Sequence, residues 1–384
     1  MNICVFSKSW ASGAGWFGNE LARSIAGAGA DVIFVAPEMT PSTLDAKHPN
    51  LLRKKFPREI IDTAPKWLKI LSSIRRVVFG SLLIIAQIPR AKVFICTLHE
   101  QLPVTIAVFM FLRLMRRKLI YVVHDPLPHA WSYPRNLRAL ERAMLYISYR
   151  LPNRLVTLTH SGKAVLSREF GIRESIISVI PHGIYPLSKA IAPIGSTQDF
   201  LVFGSLRRNK KLKEIIEAWR NIRTKNPDAK LIIAGAPHNE DREYWSECQQ
   251  LIAENPDGFE VHARFIDDGE IPELFERVGA LILAYEEFDS QSGVAVLAAV
   301  NGRPVIATSS GGLAELFNQG MAGVKIEGPV TSASIESAVN RFAEQGLDHW
   351  QTASAKGQAQ LIERLGWQGI GVAYVTEANS MTAA

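Results

Sequence analysis

The chain has 384 residues, of which 47% are hydrophobic and 21% are charged, and its formal net charge is +6. This length exceeds what a single core usually supports and predicts two domains, while the ordinary composition excludes a disordered, fibrous or repetitive protein. The three cysteines, Cys4, Cys96 and Cys248, lie far apart without CxxC or Cys/His spacing, which argues against a disulfide framework or a zinc site and favours a reducing compartment.

The N-terminal segment 1–6 reads directly as a strand. It lacks the basic region, apolar core and cleavage site that a signal peptide carries. We therefore expect a cytoplasmic protein rather than a secreted one.

Short β-branched runs alternate with longer segments of helical period along the chain, which is typical of parallel sheets covered by helices. In the first half this pattern predicts strands near 2–7, 31–36, 92–96, 119–123, 154–159 and 176–180. In the second half it predicts strands near 200–204, 229–234, 259–265, 280–284, 304–308 and 322–326. The segment 184–197, which contains prolines and no periodicity, is predicted to link the halves. We therefore expect two doubly wound α/β domains facing a cleft, with ligands beyond the carboxyl ends of the strands.

The glycine-rich segment 13–18 matches GxGxxG literally and is followed by Glu38 near the end of the second predicted strand. This combination is the fingerprint of a nicotinamide or flavin site. Gly13 lies six positions after Ser7, however, whereas the fingerprint should follow its strand tightly. A structural turn and a phosphate-facing loop are therefore alternatives to a dinucleotide site.

A strongly basic stretch occupies residues 51–118, where fourteen Lys and Arg stand against three Asp and Glu for a net charge of +11. The charges alternate with apolar runs at 77–88 and 102–112, both shorter than the ~20 residues that a membrane span requires. This pattern predicts peripheral contact with the inner face of an anionic membrane. An ordinary solvated basic face is the alternative. Nucleic-acid binding is disfavoured because no recognition motif accompanies the charge.

The loop after the fourth predicted strand contains His124, Asp125 and His129, separated by prolines that interrupt regular structure. An imidazole at such a sheet edge can hydrogen-bond a sugar hydroxyl or support charge separation. Capping of the loop is the structural alternative. His160 and His182 lie at other strand ends, where a local structural bond explains them equally well.

Several ordered segments resemble the retaining glycosyltransferase family 4. They are a strand, glycine and basic loop at 203–212, a strand end at 234–237, the blocks 287–294, 301–308 and 311–315, and a strand-to-linker motif at 179–183. The resemblance covers nearly the whole chain and implies the GT-B fold. It implies an N-terminal acceptor domain at 1–184, a nucleotide-sugar domain at 198–364 and a last helix, 365–384, that packs back onto the first domain.

The resemblance also implies a reaction: transfer of a sugar from a nucleoside diphosphate to an acceptor hydroxyl, with retention of configuration. The family usually works without a bound metal, and no DxD pair is visible in the sequence. We expect no cofactor, because the nucleotide sugar is a substrate.

The donor site that the resemblance implies lies in the second half. There Arg207 and Lys210 would neutralise the diphosphate, since a guanidinium gives a bidentate fork and an ammonium a point charge. Gln291, Ser292 and Gly293 would offer backbone N–H groups at a helix N-terminus. A solvated basic run and a simple helix cap are the respective alternatives.

One departure concerns two glutamates, seven residues apart, that the family commonly carries in this block. Aligned on Gly302, the first falls on Asp289, which we expect to accept a hydrogen bond from a sugar hydroxyl. The second falls on Leu297, which leaves the ribose without its usual carboxylate. A shifted alignment would give the role of Asp289 to Glu286 or Glu287.

In the first half, the resemblance implies that Gly15 faces the donor phosphate and that His124 lies beside the donor sugar as a catalytic residue. Asp125 and His129 are expected on the acceptor side. The expected acceptor is an oligosaccharide or a membrane-linked glycan in bacterial polysaccharide biosynthesis. An NAD- or FAD-dependent oxidoreductase and a non-catalytic nucleotide-sugar-binding protein are the rival functions.

Overall fold

The computed structural model describes residues 1–8, 12–38, 48–58, 60, 65–128, 131, 133–185, 187, 189–196, 198–286 and 288–382. The chain divides into two compact units. Unit 1 contains Met1–Gly183 and Leu365–Ala384, and unit 2 contains Ile184–Arg364.

Unit 1 is built on a parallel sheet. Its strands are β1 (Asn2–Ser7), β2 (Asp31–Pro37), β3 (Leu51–Phe56), β4 (Val93–Leu98), β5 (Lys118–Val123), β6 (Arg154–Thr157) and β7 (Ile177–Val179). They lie in the order β3-β2-β1-β4-β5-β6-β7, and each neighbouring pair is parallel. The order reverses between β1 and β4, and open α/β sheets bind ligands at such switch points.

Unit 2 repeats the same plan. Its strands are β8 (Phe200–Phe203), β9 (Leu231–Ala234), β10 (Phe259–His262), β11 (Ala280–Leu283), β12 (Val305–Thr308) and β13 (Gly323–Ile326). They lie in the order β10-β9-β8-β11-β12-β13, again all parallel. The corresponding switch point lies between β8 and β11.

The helices of the described residues follow the strands in alternation. They are α1 (Ser12–Gly27), α2 (Lys66–Ile85), α3 (Leu102–Leu114), α4 (Arg138–Arg150), α5 (His160–Phe170), α6 (Leu212–Lys225), α7 (Arg242–Glu254), α8 (Ile271–Glu276), α9 (Gly293–Val300), α10 (Gly311–Asn318), α11 (Ser332–Glu344), α12 (Gly346–Arg364) and α13 (Trp367–Thr382). The carboxyl ends of the strands open into the loops that precede these helices.

The two faces of the unit 1 sheet are buried against different helices. Residues on one face of β1, such as Ile3 and Val5, share a core with α1 and α13. Residues on the other face, such as Cys4 and Phe6, share a core with α2, α3, α4 and α5. Because alternate residues point to opposite faces, strands covered on both sides are apolar throughout.

The structure confirms the predicted fold class, two parallel-sheet Rossmann-like domains, and it contains every strand predicted from the sequence. It adds β3, which the sequence pattern did not reveal. This strand lies at the sheet edge, where charged residues are common, and Arg53 donates to Asn19 Oδ1 at 2.6 Å. Its lysines and arginine belong to the basic stretch 51–118, which gave no signal for a strand.

The segment 184–197, predicted to link the halves, is grouped with unit 2, and its Ile194 is buried in the core of that unit. Arg303 Nη2 donates to the Ala192 carbonyl at 2.7 Å, and Gln351 Nε2 donates to the Ile194 carbonyl at 2.8 Å. These bonds make the segment part of the unit 2 structure.

Candidate active site

The backbone after β8 makes a tight turn at the switch point of unit 2. Gly204 has a φ of +84°, a conformation that favours glycine. A Cβ at Gly235, after the neighbouring strand, would lie only 2.1 Å from the Gly204 carbonyl oxygen. Two strand ends therefore approach each other more closely than side chains would allow.

The Lys210 side chain turns back onto this strand end. Its Nζ donates to the Phe203 carbonyl at 2.9 Å and lies 5.5 Å from the centre of the Tyr285 ring. Burial, and after it the positive charge of Arg207, lower the pKa of the Lys210 ammonium to about 7. Both causes favour the neutral amine, and an anion bound nearby would oppose them.

The N-terminus of α9 lies beside the same turn. The buried Ser292 hydroxyl caps the helix by accepting from the Ala295 N–H at 3.2 Å, and Tyr285 hydrogen-bonds the Ser292 side chain. The N–H groups of Gly293 and Val294 lie in the first helical turn, where a helix provides no internal acceptor. Such an end, with its positive dipole, suits an anion.

Gly204 lies against both groups. A Cβ at Gly204 would lie 3.4 Å from Lys210 Nζ and 3.3 Å from Val294 Cγ2. The structure therefore brings the Lys210 ammonium and the start of α9 to the same turn. Arg207 lies at the entrance of a single 3₁₀ turn, Arg208–Lys210, and is half-buried.

The loop that precedes α9 is held by close backbone packing. A Cβ at Gly311 would lie 2.0 Å from the Phe288 carbonyl oxygen, and one at Gly312 would lie 2.3 Å from the Ser290 carbonyl oxygen. Asp289 in this loop is exposed, and Gln291 is half-buried. The glycine pair at the start of α10 thus braces the loop that carries both side chains.

The alternatives to Asp289 differ in their surroundings. Glu286 forms an ion pair with Lys211 at 2.6 Å, and its N–H donates to the Asn209 carbonyl at 2.9 Å. Glu287 lies outside the described residues. Leu297, at the position of the family's second glutamate, is 7% exposed in the apolar helix α9.

In unit 1, His124 follows β5 and is held by the end of β4. Its Nε2 lies 2.8 Å from the Thr97 carbonyl, which fixes Nε2 as the protonated nitrogen and leaves Nδ1 as an acceptor. Burial lowers the pKa of His124, against smaller opposing effects of the Thr97 bond and the Asp125 carboxylate. The ring is therefore a neutral imidazole. Asp125 is exposed, and His129 lies outside the described residues.

Phe17 of α1 packs against His124 and two further rings. Its ring centre lies 4.8 Å from that of His124, 4.9 Å from that of His182 and 5.8 Å from that of Trp367. His182 is buried, and burial is the main cause that lowers its pKa to about 3. His182 thus supports the position of Phe17 and, through it, of His124.

The glycine-rich segment does not form the loop that we expected, as far as it is described. Residues 12–18 form the first turns of α1, and Gly15 is buried there. A Cβ at Gly18 would lie 3.1 Å from Thr97 Oγ1, so this glycine lets α1 approach β4. A dinucleotide fingerprint needs its glycines in the turn between strand and helix, a geometry that residues 13–18 do not have.

A cavity lies between α2 and α3, at the carboxyl ends of β1 and β4. It is small, with a volume of about 20 Å³, it is partly open to solvent, and its lining is mostly apolar. His99 and Glu100 lie at its polar side, where Glu100 pairs with the buried Arg76. Burial lowers the pKa of His99 to about 4, so this imidazole is also neutral.

Sequence reasoning missed Tyr285 and Thr308. Thr308 Oγ1 donates to the Tyr285 carbonyl at 2.8 Å, and the Tyr285 side chain joins Ser292 and Lys210. Both residues lie at the carboxyl ends of predicted strands. That position could have marked them as candidate site residues, because ligands of such sheets bind there.

Comparison with known proteins agrees with this architecture. Residues 11–186 match the model of "Glycosyltransferase Family 4", and residues 188–360 match that of "Glycosyl transferases group 1". The crystal structure of Anabaena Alr3699/HepE in complex with UDP-glucose has a TM-score of 0.73 and 18% identity, and it covers 99% of this chain and 100% of that chain.

Two curated relatives match over a smaller share of the chain. An uncharacterized glycosyltransferase of Methanocaldococcus jannaschii is 26% identical over 246 residues, which are 59% of this chain and 60% of that protein. The lipopolysaccharide 1,2-N-acetylglucosaminetransferase of Salmonella typhimurium is 20% identical over 208 residues, or 50% and 54%. The matches thus span little more than half the length of these relatives. The two family models nevertheless account for both units in turn, and the chain belongs to the family 4 glycosyltransferases with the GT-B fold.

Proposed function

We propose that this protein is a retaining glycosyltransferase that moves a sugar from a nucleoside diphosphate to an acceptor hydroxyl. The observation that carries the proposal is the meeting of Lys210 and the α9 N-terminus around Gly204. Both favour an anion, and they lie at the switch point of a sheet in a glycosyltransferase. The complex of Anabaena Alr3699/HepE with UDP-glucose supports a nucleotide-sugar donor.

We assign the diphosphate to Arg207, Lys210 and the N–H groups at Gly293. Arg207 would bind phosphate oxygens as a bidentate fork, and the Lys210 amine would become protonated beside them. Gln291 would contact the donor from the loop before Ser292. These cations and N–H groups neutralise the leaving group, so the proposal requires no metal ion and no cofactor.

The transferred sugar is assigned to Asp289 and His124. Asp289 is exposed, and its carboxylate can accept from a sugar hydroxyl. His124, neutral and with Nδ1 as acceptor, would take a second sugar hydroxyl. Gly15 would face the donor phosphate, and Asp125 and His129 would lie on the acceptor side.

The proposed step is a front-face displacement. The bond between the anomeric carbon and the diphosphate oxygen breaks as the acceptor oxygen bonds to the same face of that carbon. The acceptor proton passes to the departing diphosphate oxygen, so atoms and charge balance without an enzymic nucleophile. Stabilising the diphosphate therefore lowers the barrier directly.

We further propose a membrane-linked glycan acceptor, and hence a place at the inner face of the cytoplasmic membrane. The lipopolysaccharide transferase of Salmonella typhimurium and the basic stretch in unit 1, with its apolar runs, support this acceptor class. A hydrocarbon chain needs apolar surface, which a free oligosaccharide does not.

The test uses the full chain with UDP-, GDP-, ADP- and dTDP-sugars and a bacterial lipid extract. We expect one donor to release its nucleoside diphosphate only when the extract is present, and an α-linked donor to give an α-linked product by NMR. A β-linked product would refute retention. Binding of a donor without release in any acceptor screen would instead indicate a non-catalytic binding protein.

A further inference from the structure

Helix α2 exposes the kind of residues that helices normally bury. Its buried positions are Ser72, Arg76, Gly80 and Ile84, of which only the last is a large apolar residue. Its exposed positions include Trp67, Ile70, Leu71, Ile74, Val78, Phe79 and Leu82, which are between 48% and 66% exposed. In a soluble helix the apolar stripe faces the core, so this polarity is inverted.

The neighbouring helix exposes apolar residues as well. α3 packs against α2, and the end of α3 exposes Met110, Leu114 and Met115, with Leu114 75% exposed. Single apolar residues on a surface are normal, but this many on two neighbouring helices mark an interaction site. We call this set, together with the exposed apolar residues of α2, the α2–α3 face.

The charges around the α2–α3 face have one sign. Lys66, Lys69 and Arg75 flank the stripe on α2, and Arg113 and Arg116 flank the end of α3. Glu100 is the one acidic residue of the sequence between Lys66 and Lys118, and it pairs with Arg76 on the inner side. The sequence from Lys66 to Lys118 is therefore strongly basic.

These observations identify the occupant. No helix among the described residues is long and apolar enough to cross a membrane, and Lys66, Lys69 and Arg75 interrupt the apolar positions of α2. A helix with one apolar face and basic flanks can instead lie in the plane of a bilayer surface. Anionic lipid headgroups would supply the charge that the protein surface lacks.

We propose that the α2–α3 face is a membrane-docking surface, on which α2 lies parallel to an anionic bilayer with Trp67, Ile74 and Leu82 in its interface. The inference deepens the proposed function by naming the surface that would bring the enzyme to a membrane-linked acceptor. The binding itself depends on unit 1 and can be tested without donor or acceptor.

The first experiment is flotation of the full chain with vesicles of phosphatidylcholine and phosphatidylglycerol in equal parts. We expect the protein to float with these vesicles, to float poorly with phosphatidylcholine alone, and to lose binding at least about tenfold in Ile74→Glu/Leu82→Glu. Val372→Glu is the matched control, because Val372 is 52% exposed on α13, on the opposite side of the unit 1 sheet. Equal binding by Ile74→Glu/Leu82→Glu and wild type would overturn the proposal.

The second experiment separates insertion from adsorption by charge alone. The Trp67 fluorescence, obtained as the difference between wild type and Trp67→Phe, should shift to shorter wavelength on vesicle binding. It should be quenched by lipids brominated near the headgroup. Lys66→Glu/Arg75→Glu should weaken binding by about fivefold or more for each cation removed. Binding without any change at Trp67 would contradict insertion of α2.

A second copy of the chain is the competing occupant of the α2–α3 face. If the wild type binds no vesicles but forms a dimer, and Ile74→Glu/Leu82→Glu dissociates that dimer, the occupant of the α2–α3 face is a second copy and not a membrane. Thermal stabilisation by nucleoside diphosphates tests the donor site separately from the docking surface. If it persists while vesicle binding fails, the docking surface is wrong and the donor site stands.

Discussion

The surroundings of Lys210 suit the diphosphate that we propose it binds. In the structure its ammonium is surrounded by a carbonyl, an aromatic ring and another cation. Burial and Arg207 lower its pKa to about 7, which makes the amine partly neutral at physiological pH. A diphosphate reverses the balance, because a nearby negative charge favours the protonated form.

Binding of a nucleoside diphosphate should therefore take up a proton. Above about pH 7 the free protein holds Lys210 neutral and the complex holds it charged. The affinity should be highest below pH 7 and should fall as pH rises through that value, by up to about tenfold per pH unit. Calorimetry at pH 8 in buffers of different ionisation enthalpy would measure the uptake. Lys210→Met should abolish it, and a wild type that exchanges no proton would contradict this role.

At this scale the sequence pointed to the candidate donor-site residues but not to the residues that contact them. Arg207, Lys210 and Ser292 stand out because their types and spacing after predicted strands suit a diphosphate. Tyr285 and Thr308 did not, because each looks like an ordinary strand-end residue until the fold brings Tyr285 to Ser292 and Lys210 and Thr308 to Tyr285. Their contribution depends on contacts between segments that are distant in sequence.

At the scale of elements, α13 packs on α1, and the two backbones lie close together at Gly371. A Cβ at Gly371 would lie 2.2 Å from the Ser24 carbonyl oxygen, whereas one at Gly369 would meet nothing within 4 Å. The two glycines lie in the same helix, two residues apart. They therefore form a matched pair.

Gly371→Ala should separate α13 from α1 and cost about 1–3 kcal/mol of unfolding free energy. Gly369→Ala should cost nothing and can add up to about 1 kcal/mol, because alanine favours helices. Calorimetry of the full chain, which resolves separate unfolding transitions, is the measurement. Equal destabilisation by both substitutions would show that the α1–α13 contact is not the cause.

The start of α10 permits a similar comparison for the donor loop. Gly311 and Gly346 both have positive φ, +49° and +76°, but only Gly311 has the backbone of residues 288 and 289 in the place of a Cβ. Gly346→Ala should cost about 1 kcal/mol and leave nucleotide affinity unchanged. Gly311→Ala should also lower that affinity at least tenfold, because it displaces the loop that holds Asp289 and Gln291. Isothermal titration of both variants tests this, and equal affinities would refute the bracing role.

Most elements were predictable because both sheets are covered on two faces. Buried parallel strands give continuous apolar runs that stand out between helices of regular period. β3 was not predicted because the basic side chains of this edge strand interrupt its apolar run. The glycine-rich segment misled for a different reason: a literal motif does not specify whether its glycines lie before a helix or inside it.

At the scale of the whole molecule, the two units share the order of six strands, to which unit 1 adds β7, but they differ in their surfaces. Unit 2 concentrates cations and helix N–H groups at its switch point, whereas unit 1 carries neutral imidazoles, an apolar cavity and the α2–α3 face. Chemistry of this kind suits a polar, anionic donor in unit 2 and a partly apolar acceptor in unit 1. The charge of the chain is accordingly uneven, with +11 in residues 51–118 against +6 overall.

We propose that Arg207 and Lys210 form a nucleoside diphosphate site. Thermal unfolding of the full chain with UDP, GDP, ADP, dTDP, CMP, NAD and FAD, repeated with Arg207→Ala, tests this site. We predict that one nucleoside diphosphate stabilises the wild type by several degrees and that Arg207→Ala loses most of this shift, since a ligand stabilises only the state that it binds. Stabilisation by NAD or FAD that survives Arg207→Ala would contradict the claim and move the nucleotide site to unit 1.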